Sequence, residues 1–247
     1  MILTNDNKYE ESRRKQLKID EFNSVEHPFM EQLKELGWND DANEVIELKM
    51  QQQPSESFRT SFSEVVLMPK LRKALKQIND FLTDSQIDEV ANRITAYQGG
   101  TLLENNERIF NLLVEGTSVS RNEQTGEQSP SVRYIDFDHP ENNIFTAISQ
   151  FKVAIPGTDH HIIPDIVLFL NGLPIVVVEA KSPKVSEPLS EAIDQLMRYS
   201  EQRGDTGEGN PALFQYNQFL IVTCRNEAKA GTITTHREKY FYRWTDP

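Results

Sequence analysis

The chain has a single cysteine and no long apolar run. Cys224 ends the apolar stretch Phe219-Leu-Ile-Val-Thr-Cys in a sequence of 247 residues, which predicts a small buried side chain and excludes an intrachain disulfide framework. No stretch reaches the roughly 20 apolar residues of a membrane span, and the N-terminus lacks the charged-then-apolar order of a signal peptide. We therefore expect a protein of the reducing cytoplasm that does not enter a membrane.

Phosphate-binding loops and an excess of basic residues are also missing. The pattern GxxxxGK[ST] occurs nowhere, so the sequence gives no support for nucleoside triphosphate binding within this chain. Lys and Arg number 26 against 38 Asp and Glu, which gives a formal net charge of −12. Proteins that hold nucleic acid unaided usually have a basic surface, so this chain is not expected to grip nucleic acid tightly by itself.

The composition is that of an ordinary globular protein, with 37% hydrophobic and 26% charged residues. Residues 1–20 are polar, contain the basic run Ser12-Arg-Arg-Lys-Gln, and predict a solvated arm. Residues 21–130 show mostly helical periodicity, whereas residues 131–247 become rich in strand-like runs. We expect a helical N-terminal part packed on a β-rich core in one compact unit.

Apolar spacing and turn residues predict the individual elements. Helices are expected over Glu26–Leu36 with a stop at Gly37, and over Pro69–Phe81, Ser85–Ala96 and Leu103–Glu115. A capping box from Ser85 to Asp88 is expected to begin the third of these helices. Strands are expected in Val45–Met50, Val132–Phe137 and Ile144–Ile155.

Two β-branched apolar runs, Ile166–Leu170 and Pro174–Lys181, are joined through Asn171-Gly172, the dipeptide most typical of a tight hairpin. Antiparallel pairing places Asp165, at the start of the first strand, beside Glu179, near the end of the second. Because side chains alternate between faces, Glu179 and Lys181 share one face of the second strand. The sequence therefore predicts two carboxylates and an ammonium group at one end of a sheet.

This predicted cluster has a chemical implication. Two neighbouring carboxylates in a partly buried position repel each other unless a cation neutralises them, and oxygen ligands suit Mg²⁺. Lys181 adds a positive charge near an attacking water or a scissile phosphate, which completes a set suited to phosphodiester hydrolysis. The alternative is an Asp that caps a turn and a solvated Glu179–Lys181 ion pair, but the joint spacing is far more specific than either feature alone.

A further helix is predicted over Pro188–Gln202. Its apolar face is formed by Leu189, Ile193, Leu196 and Met197. Gln195 and Tyr199 are four residues apart and therefore adjacent on the helix surface. In isolation they would be read as a polar pair on a half-buried helix.

The stretch Ile163-Pro-Asp-Ile-Val-Leu-Phe-Leu-Asn-Gly-Leu-Pro-Ile-Val-Val-Val-Glu-Ala-Lys-Ser-Pro183 resembles the PD-(D/E)xK nuclease superfamily, and more closely the N-terminal part of the R subunit of type I restriction enzymes. Gln195 and Tyr199 match the Gln-xxx-Tyr motif that follows in that family and assists cleavage. The helix near Val25 resembles the family's first helix, whose early glutamate contributes to the metal site and matches Glu26. Looser similarity extends to Asn143–Lys152 and Phe214–Thr223.

The resemblance implies an α/β (α+β) fold with a restriction-endonuclease-like core, in which helices flank a central mixed β-sheet beside an elaborated helical N-terminal part. It also implies Mg²⁺-dependent cleavage of double-stranded DNA, with Mn²⁺ as an alternative ion, remote from the recognition site. Asp165 and Glu179, with the Ala180 carbonyl and Glu26, would be metal ligands. Lys181 would orient or polarise the attacking water, and Gln195 and Tyr199 would assist.

The resemblance further implies partners outside this chain. In the family, the R subunit continues into helicase-like motor domains that use ATP and work with methyltransferase (M) and specificity (S) subunits. The sequence stops at Trp244-Thr-Asp-Pro247, so we expect an acidic nuclease domain that cuts DNA delivered by a basic translocase and binds no ATP itself. The alternatives are a catalytically idle docking module between motor and methyltransferase, and a free-standing repair or recombination nuclease.

Overall fold

The computed structural model describes residues 21–40, 42–96, 99–122 and 125–244, and the basic run of the predicted arm lies outside these ranges. The helices within them are α1 (His27–Glu35), α2 (Met68–Ile78), α3 (Asp84–Thr95), α4 (Leu102–Glu115), α5 (Pro188–Tyr199) and α6 (Pro211–Phe214). The strands are β1 (Glu44–Ile46), β2 (Thr117–Ser118), β3 (Ser131–Val132), β4 (Phe145–Ser149), β5 (Val153–Ala154), β6 (His161–Ile162), β7 (Ile166–Leu170), β8 (Leu173–Ala180), β9 (Phe219–Cys224), β10 (Glu227–Gly231) and β11 (Tyr242–Arg243). A π-helical turn, Phe22–Glu26, leads into α1.

Seven of these strands form one mixed sheet in the order β1-β4-β7-β8-β9-β10-β11. The pairs β1–β4 and β8–β9 are parallel, and the other neighbours are antiparallel. The predicted fold class, a mixed sheet flanked by helices, is confirmed. Because β1 comes from the N-terminal part and pairs with β4, that part and the strand-rich core share one sheet.

Helices cover both faces of this sheet, which explains why β7 and β8 are apolar along almost their whole length. Ile166, Leu168 and Val178 pack under α1 against Met30 and Leu33. The alternate side chains of the same strands face a larger core, to which α2, α3, α4 and α5 contribute. None of the helices in the described ranges is both long and apolar enough to cross a lipid bilayer.

The predicted Asn171-Gly172 hairpin is confirmed and is firmly anchored. Both residues have positive φ, +53° and +80°, as a type I′ turn requires. The Asn171 side chain is fully buried; its Oδ1 accepts a hydrogen bond from the Ile144 amide at 2.7 Å, and its Nδ2 donates to the Tyr134 carbonyl at 2.8 Å. The Gly172 carbonyl accepts from the Leu67 amide at 2.9 Å. The start of α2 therefore rests on the turn, and the opposite end of the hairpin remains for the candidate site.

The expected helices are present within a few residues, but the predicted capping box is wrong. The box at the start of α3 is formed by Thr83 and Gln86, with the Gln86 amide donating to Thr83 Oγ1 at 3.3 Å and the Thr83 amide donating to Gln86 Oε1 at 3.0 Å. Ser85 already lies inside the helix, so its hydroxyl is in the wrong place to cap the first turn.

The predicted strands are present but shorter than expected. The strand predicted over Val45–Met50 ends at Ile46. Beyond Ile46 the strand pairing stops, and the Leu48 amide donates a hydrogen bond to the Ser149 hydroxyl instead. The Ile144–Ile155 run is divided into β4 and β5 by Gln150, whose φ of +51° breaks the extended backbone. Of the Val132–Phe137 run only Val132 lies in a strand; the Asp136 carboxylate accepts hydrogen bonds from the next amides and turns the chain.

Candidate metal centre

The open end of the hairpin brings Asp165 and Glu179 together. The antiparallel register pairs Ile166 with Val178. Asp165, one residue before Ile166, therefore lies beside Glu179, one residue after Val178. Both are buried: Asp165 is 6% exposed and Glu179 is 0% exposed. The Ala180 amide donates to Asp165 Oδ2 at 2.8 Å, which fixes one carboxylate against the end of the other strand.

Glu179 has one satisfied oxygen and one unsatisfied oxygen. Its Oε1 accepts a hydrogen bond from Lys181 Nζ at 2.7 Å, whereas the buried Oε2 has no hydrogen-bond partner among the described residues. Burial first, and then the negative charge of Asp165, raise the pKa of Glu179 well above its usual range. A buried carboxylate oxygen without a donor is costly, and a cation beside it would remove that cost.

Lys181 is a charged group rather than a base. Its Nζ donates to Glu179 Oε1 and also to the Ala180 carbonyl, at 3.0 Å. Burial alone would lower the pKa of Lys181, but the charges of Glu179, Asp165 and Glu21 outweigh burial and raise it above its ordinary value. The Ala180 carbonyl, expected as a metal ligand, is thus bonded to the lysine ammonium in this structure.

Glu26 joins this cluster from the other side. It is only 3% exposed, and Gln150 Nε2 donates to Glu26 Oε2 at 2.7 Å and lies 3.5 Å from Asp165 Oδ1. Burial and the charge of Asp165 raise the pKa of Glu26 to about 8. The other acidic residues of α1, Glu31 and Glu35, are exposed, so Glu26 is the glutamate of this helical segment that reaches the site.

Glu21 is a member of the cluster that the sequence did not indicate. One carboxylate oxygen from each of Glu21, Glu26 and Asp165 lies within 4.8 Å of the others. The π-helical turn explains the placement, because its hydrogen bonds join residues five apart, which is the separation of Glu21 and Glu26, and the His27 amide donates to the Phe22 carbonyl. Pro28 has no amide hydrogen for the carbonyl four residues earlier, so α-helical bonding cannot continue unbroken through this turn.

Gln195 and Tyr199 lie where α5 passes the cluster. Gln195 Nε2 donates to Tyr199 Oη at 2.8 Å, and Tyr199 Oη donates to the Ile163 carbonyl at 3.4 Å, two residues before Asp165. Burial, followed by the charges of Glu179 and Asp165, raises the pKa of Tyr199. The phenol therefore remains protonated, and its hydroxyl donates to the Ile163 carbonyl.

This donor set fits a hard divalent cation. Four carboxylates, from Glu21, Glu26, Asp165 and Glu179, face a single ammonium group. The site offers oxygen ligands, the type that Mg²⁺ prefers in proteins, and one of these oxygens is buried without a donor. The excess of negative charge explains why the pKa of both Glu26 and Glu179 is raised.

The chain is similar to known proteins over most of its length. The family model described as type I restriction enzyme R protein N terminus matches residues 18–239. The chain is 29% identical over 219 residues, 88% of its length and 20% of the relative, to the type I restriction enzyme HindI endonuclease subunit of Haemophilus influenzae. It is 28% identical over 200 residues to the SsaAORF53P endonuclease subunit of Staphylococcus saprophyticus, covering 81% of this chain and 18% of that one.

A third relative, the SauMSSORF170P endonuclease subunit of Staphylococcus aureus, is 24% identical over 225 residues, 90% of this chain and 21% of the relative. The chain thus spans about a fifth of the length of the curated relatives it matches. The family match covers most of the sequence and includes every residue of the carboxylate cluster. The chain belongs to the family of type I restriction enzyme R protein N-terminal regions.

Proposed function

We propose that this chain is the Mg²⁺-dependent DNA endonuclease domain of a type I restriction enzyme R subunit. The observation that carries the proposal is the convergence of buried carboxylates on Lys181, with Glu179 Oε2 lacking any donor among the described residues. Membership of the R protein N-terminal family supports the choice of DNA as substrate. The reaction is hydrolysis of phosphodiester bonds in both strands of unmodified DNA.

Asp165, Glu179 and Glu26 are the residues that would hold Mg²⁺, or Mn²⁺ in its place, and Glu21 lies within reach of the same position. A divalent cation bound there supplies Lewis-acid stabilisation and makes water a better nucleophile. The Ala180 carbonyl accepts one hydrogen bond from Lys181 and has a second lone pair that could bind the ion.

Lys181 acts through its charge in this proposal. Its ammonium group is held beside Glu179 and remains protonated, so it orients the attacking water or stabilises negative charge on the scissile phosphate. Tyr199 and Gln195 act as positioning residues, because their hydrogen bond continues to the Ile163 carbonyl and so supports the chain segment that presents Asp165.

ATP-driven movement of DNA, methylation and recognition of the target sequence would be carried out by parts of the enzyme outside this chain. The relatives named as endonuclease subunits are about four and a half times as long as this chain, which leaves room for ATP-dependent helicase-like motor domains. A net charge of −12 fits a nuclease domain that receives DNA from the motor and from methyltransferase and specificity subunits. Cleavage then occurs remote from the recognition site, in the cytoplasm.

The test is plasmid cleavage by the reconstituted enzyme with Mg²⁺ and ATP. Asp165→Ala and Lys181→Ala are expected to abolish cleavage while ATP turnover continues at the parent rate. Asp159→Ala and Lys73→Ala, which change exposed residues of the same type, are matched controls that should cleave normally. Cleavage by either site variant at the parent rate would overturn the proposal.

Metal titration separates a nuclease from a catalytically idle docking module. Calorimetry on the parent chain is expected to show Mg²⁺ or Mn²⁺ binding, and Glu179→Gln to abolish it, because the substitution removes the charge of the deepest carboxylate. Glu35→Gln, on the exposed side of α1, is the control. Absence of binding that depends on Glu179 would favour the docking module.

A further inference from the structure

The cations of this acidic chain are distributed in two ways. Some of those described are neutralised by a nearby carboxylate, in the pairs Lys34–Glu31, Lys70–Glu44, Arg72–Asp88, Arg93–Glu89, Arg133–Asp138, Arg203–Asp194 and Lys229–Glu238. Lys49 and Lys152 are among the other cations, because within the described ranges neither makes an ion pair with a carboxylate. Each lies instead on an aromatic ring: Lys49 Nζ is 4.9 Å from the centroid of Phe22, and Lys152 Nζ is 4.7 Å from that of Phe62.

Both lysines belong to chain segments that adjoin the candidate metal centre. The Leu48 amide donates to Ser149 Oγ at 2.9 Å, so Lys49 lies one residue from a contact with the strand that leads to Gln150. Gln150 contacts Glu26 and Asp165 directly, and Lys152 follows two residues later. Phe22 adjoins Glu21 in the π-helical turn. The two lysines therefore bracket Gln150, the residue that bridges the carboxylates.

The position of Lys152 is fixed by its surroundings. The Lys152 carbonyl accepts a hydrogen bond from Arg59 at 2.8 Å, and the Arg59 guanidinium lies 3.7 Å from the centroid of the neighbouring Phe151 ring. The Phe62 ring also contacts His161, whose ring meets it edge-on with the centroids 5.5 Å apart. Arg59 and His161 thus hold the backbone and the ring on which the ammonium group rests.

A cation on an aromatic face is held in place but keeps its full charge. This matters here because the carboxylate cluster repels the phosphates of DNA, and a metal ion offsets that repulsion only at the reacting phosphate. The phosphates on either side need cations that are fixed and not already neutralised. We propose that Lys49 and Lys152, held on Phe22 and Phe62, bind the phosphate backbone of duplex DNA on the two flanks of the metal centre.

This inference rests on the proposed function, and salt-dependent DNA binding tests it. Lys49→Gln, Lys152→Gln and the double variant are compared with the parent chain by fluorescence anisotropy on a labelled duplex of about 30 base pairs, with Ca²⁺ replacing Mg²⁺ to prevent cleavage. Each lost phosphate contact lowers the slope of log affinity against log salt by about 0.9. The double variant should therefore lose about 1.8 from the slope, and its affinity deficit should shrink about 3.5-fold per lysine between about 50 and 200 mM salt.

Lys73→Gln is the matched control. Lys73 is exposed on α2, which rests on the Gly172 end of the hairpin, far from the carboxylates. Like Lys49 and Lys152, it makes no ion pair with a carboxylate within the described ranges. Lys73→Gln therefore removes one unpaired positive charge, as Lys49→Gln and Lys152→Gln each do. The control should keep the parent slope, and Lys49→Arg with Lys152→Arg should restore the slope that the glutamine variants lose.

Replacing the ring tests the role assigned to it. Phe62→Leu leaves the charge of Lys152 but removes the face that holds it, so affinity should fall severalfold while the salt slope stays close to that of the parent. Thermal unfolding of each variant checks that a loss of affinity is not a loss of fold. A salt slope in the double variant equal to that of Lys73→Gln, or a parent chain without saturable duplex binding, would overturn this inference.

The two proposals fail separately. If Asp165→Ala abolishes cleavage in the reconstituted enzyme while the double lysine variant keeps the parent salt slope, the backbone contacts are wrong and the proposed function stands. If Asp165→Ala cleaves normally, the proposed function is wrong whatever the lysines do. Mg²⁺ titration should give the same affinity for the parent and the double variant, because neither lysine touches the carboxylates.

Discussion

Replacing Glu26 by Gln tests the electrostatics of the metal centre without any cleavage assay. In the metal-free fold, burial and the charge of Asp165 raise the pKa of Glu26 from 4.5 to about 8. The folded chain therefore holds a proton that the unfolded chain releases, and the stability present below pH 4.5 is lost progressively as the pH rises towards 8. At about 1.4 kcal/mol for each tenfold difference in proton affinity, the loss reaches about 4 kcal/mol at pH 8.

The assay is urea unfolding in the presence of a chelator between about pH 5 and pH 8, analysed as a two-state transition. The free energy of unfolding of the parent should fall with pH more steeply than that of Glu26→Gln, because the amide carries no charge at any pH. The gap between the two curves should widen by several kcal/mol from the acidic to the basic end. Glu35→Gln, an exposed substitution on α1, should follow the parent curve.

Added Mg²⁺ should make the parent more stable than Glu26→Gln at basic pH, the reverse of the order expected in chelator. In the parent, the ion replaces the retained protons, so the stabilisation that it gives should grow with pH, as expected for ligand binding linked to proton release. Glu26→Gln should gain much less. Parallel curves for the parent and Glu26→Gln in chelator would refute the reasoning, since they would mean that Glu26 ionises in the fold as easily as in the unfolded chain.

Three further substitutions test other parts of the structure. Tyr199→Phe removes the hydroxyl beside the carboxylates; we expect about tenfold slower cleavage with unchanged Mg²⁺ affinity, and cleavage at the parent rate would contradict its role. Gly172→Ala would place a Cβ 2.5 Å from the Leu67 carbonyl oxygen at a φ of +80°, so urea unfolding should show a loss of at least about 2 kcal/mol. Thr83→Ala should cost about 1 kcal/mol as an N-cap, whereas Ser85→Ala should cost less, and equal losses would contradict the assigned cap.

The hairpin and three charged side chains of the candidate site were predictable because they depend on local rules. Asn171-Gly172 requires a tight turn, and the turn sets the register that brings Asp165 beside Glu179. The alternation of side chains along β8 then places Lys181 on the face of Glu179, where the structure has their ion pair at 2.7 Å. The turn dipeptide and the alternation of side chains were sufficient to predict this cluster, since each acts on residues that are close in sequence.

Glu21 and Gln150 could not be found in the same way. Glu21 reaches the cluster through a π-helical turn, and the periodicity of an α-helix does not indicate that five-residue spacing. Gln150 bridges Glu26 and Asp165 because it breaks a strand with a φ of +51°, and a glutamine in an apolar run carries no mark of that conformation. The predicted ends of the strands were wrong for a related reason. Backbone amides near those ends form hydrogen bonds with partners distant in sequence, such as the Ser149 hydroxyl, instead of with the neighbouring strand.

The hydrogen bonds that close the metal centre join parts of the chain that are made at very different times. The Glu26–Gln150 bond spans 124 residues, and the bond from the Ser182 amide to Glu21 spans 161. During synthesis, the two N-terminal glutamates leave the ribosome long before Asp165, Glu179 and Lys181 exist. Since such long loops close late in folding, a nascent or partly folded chain holds no complete carboxylate cluster. The centre is thus assembled only in the finished fold.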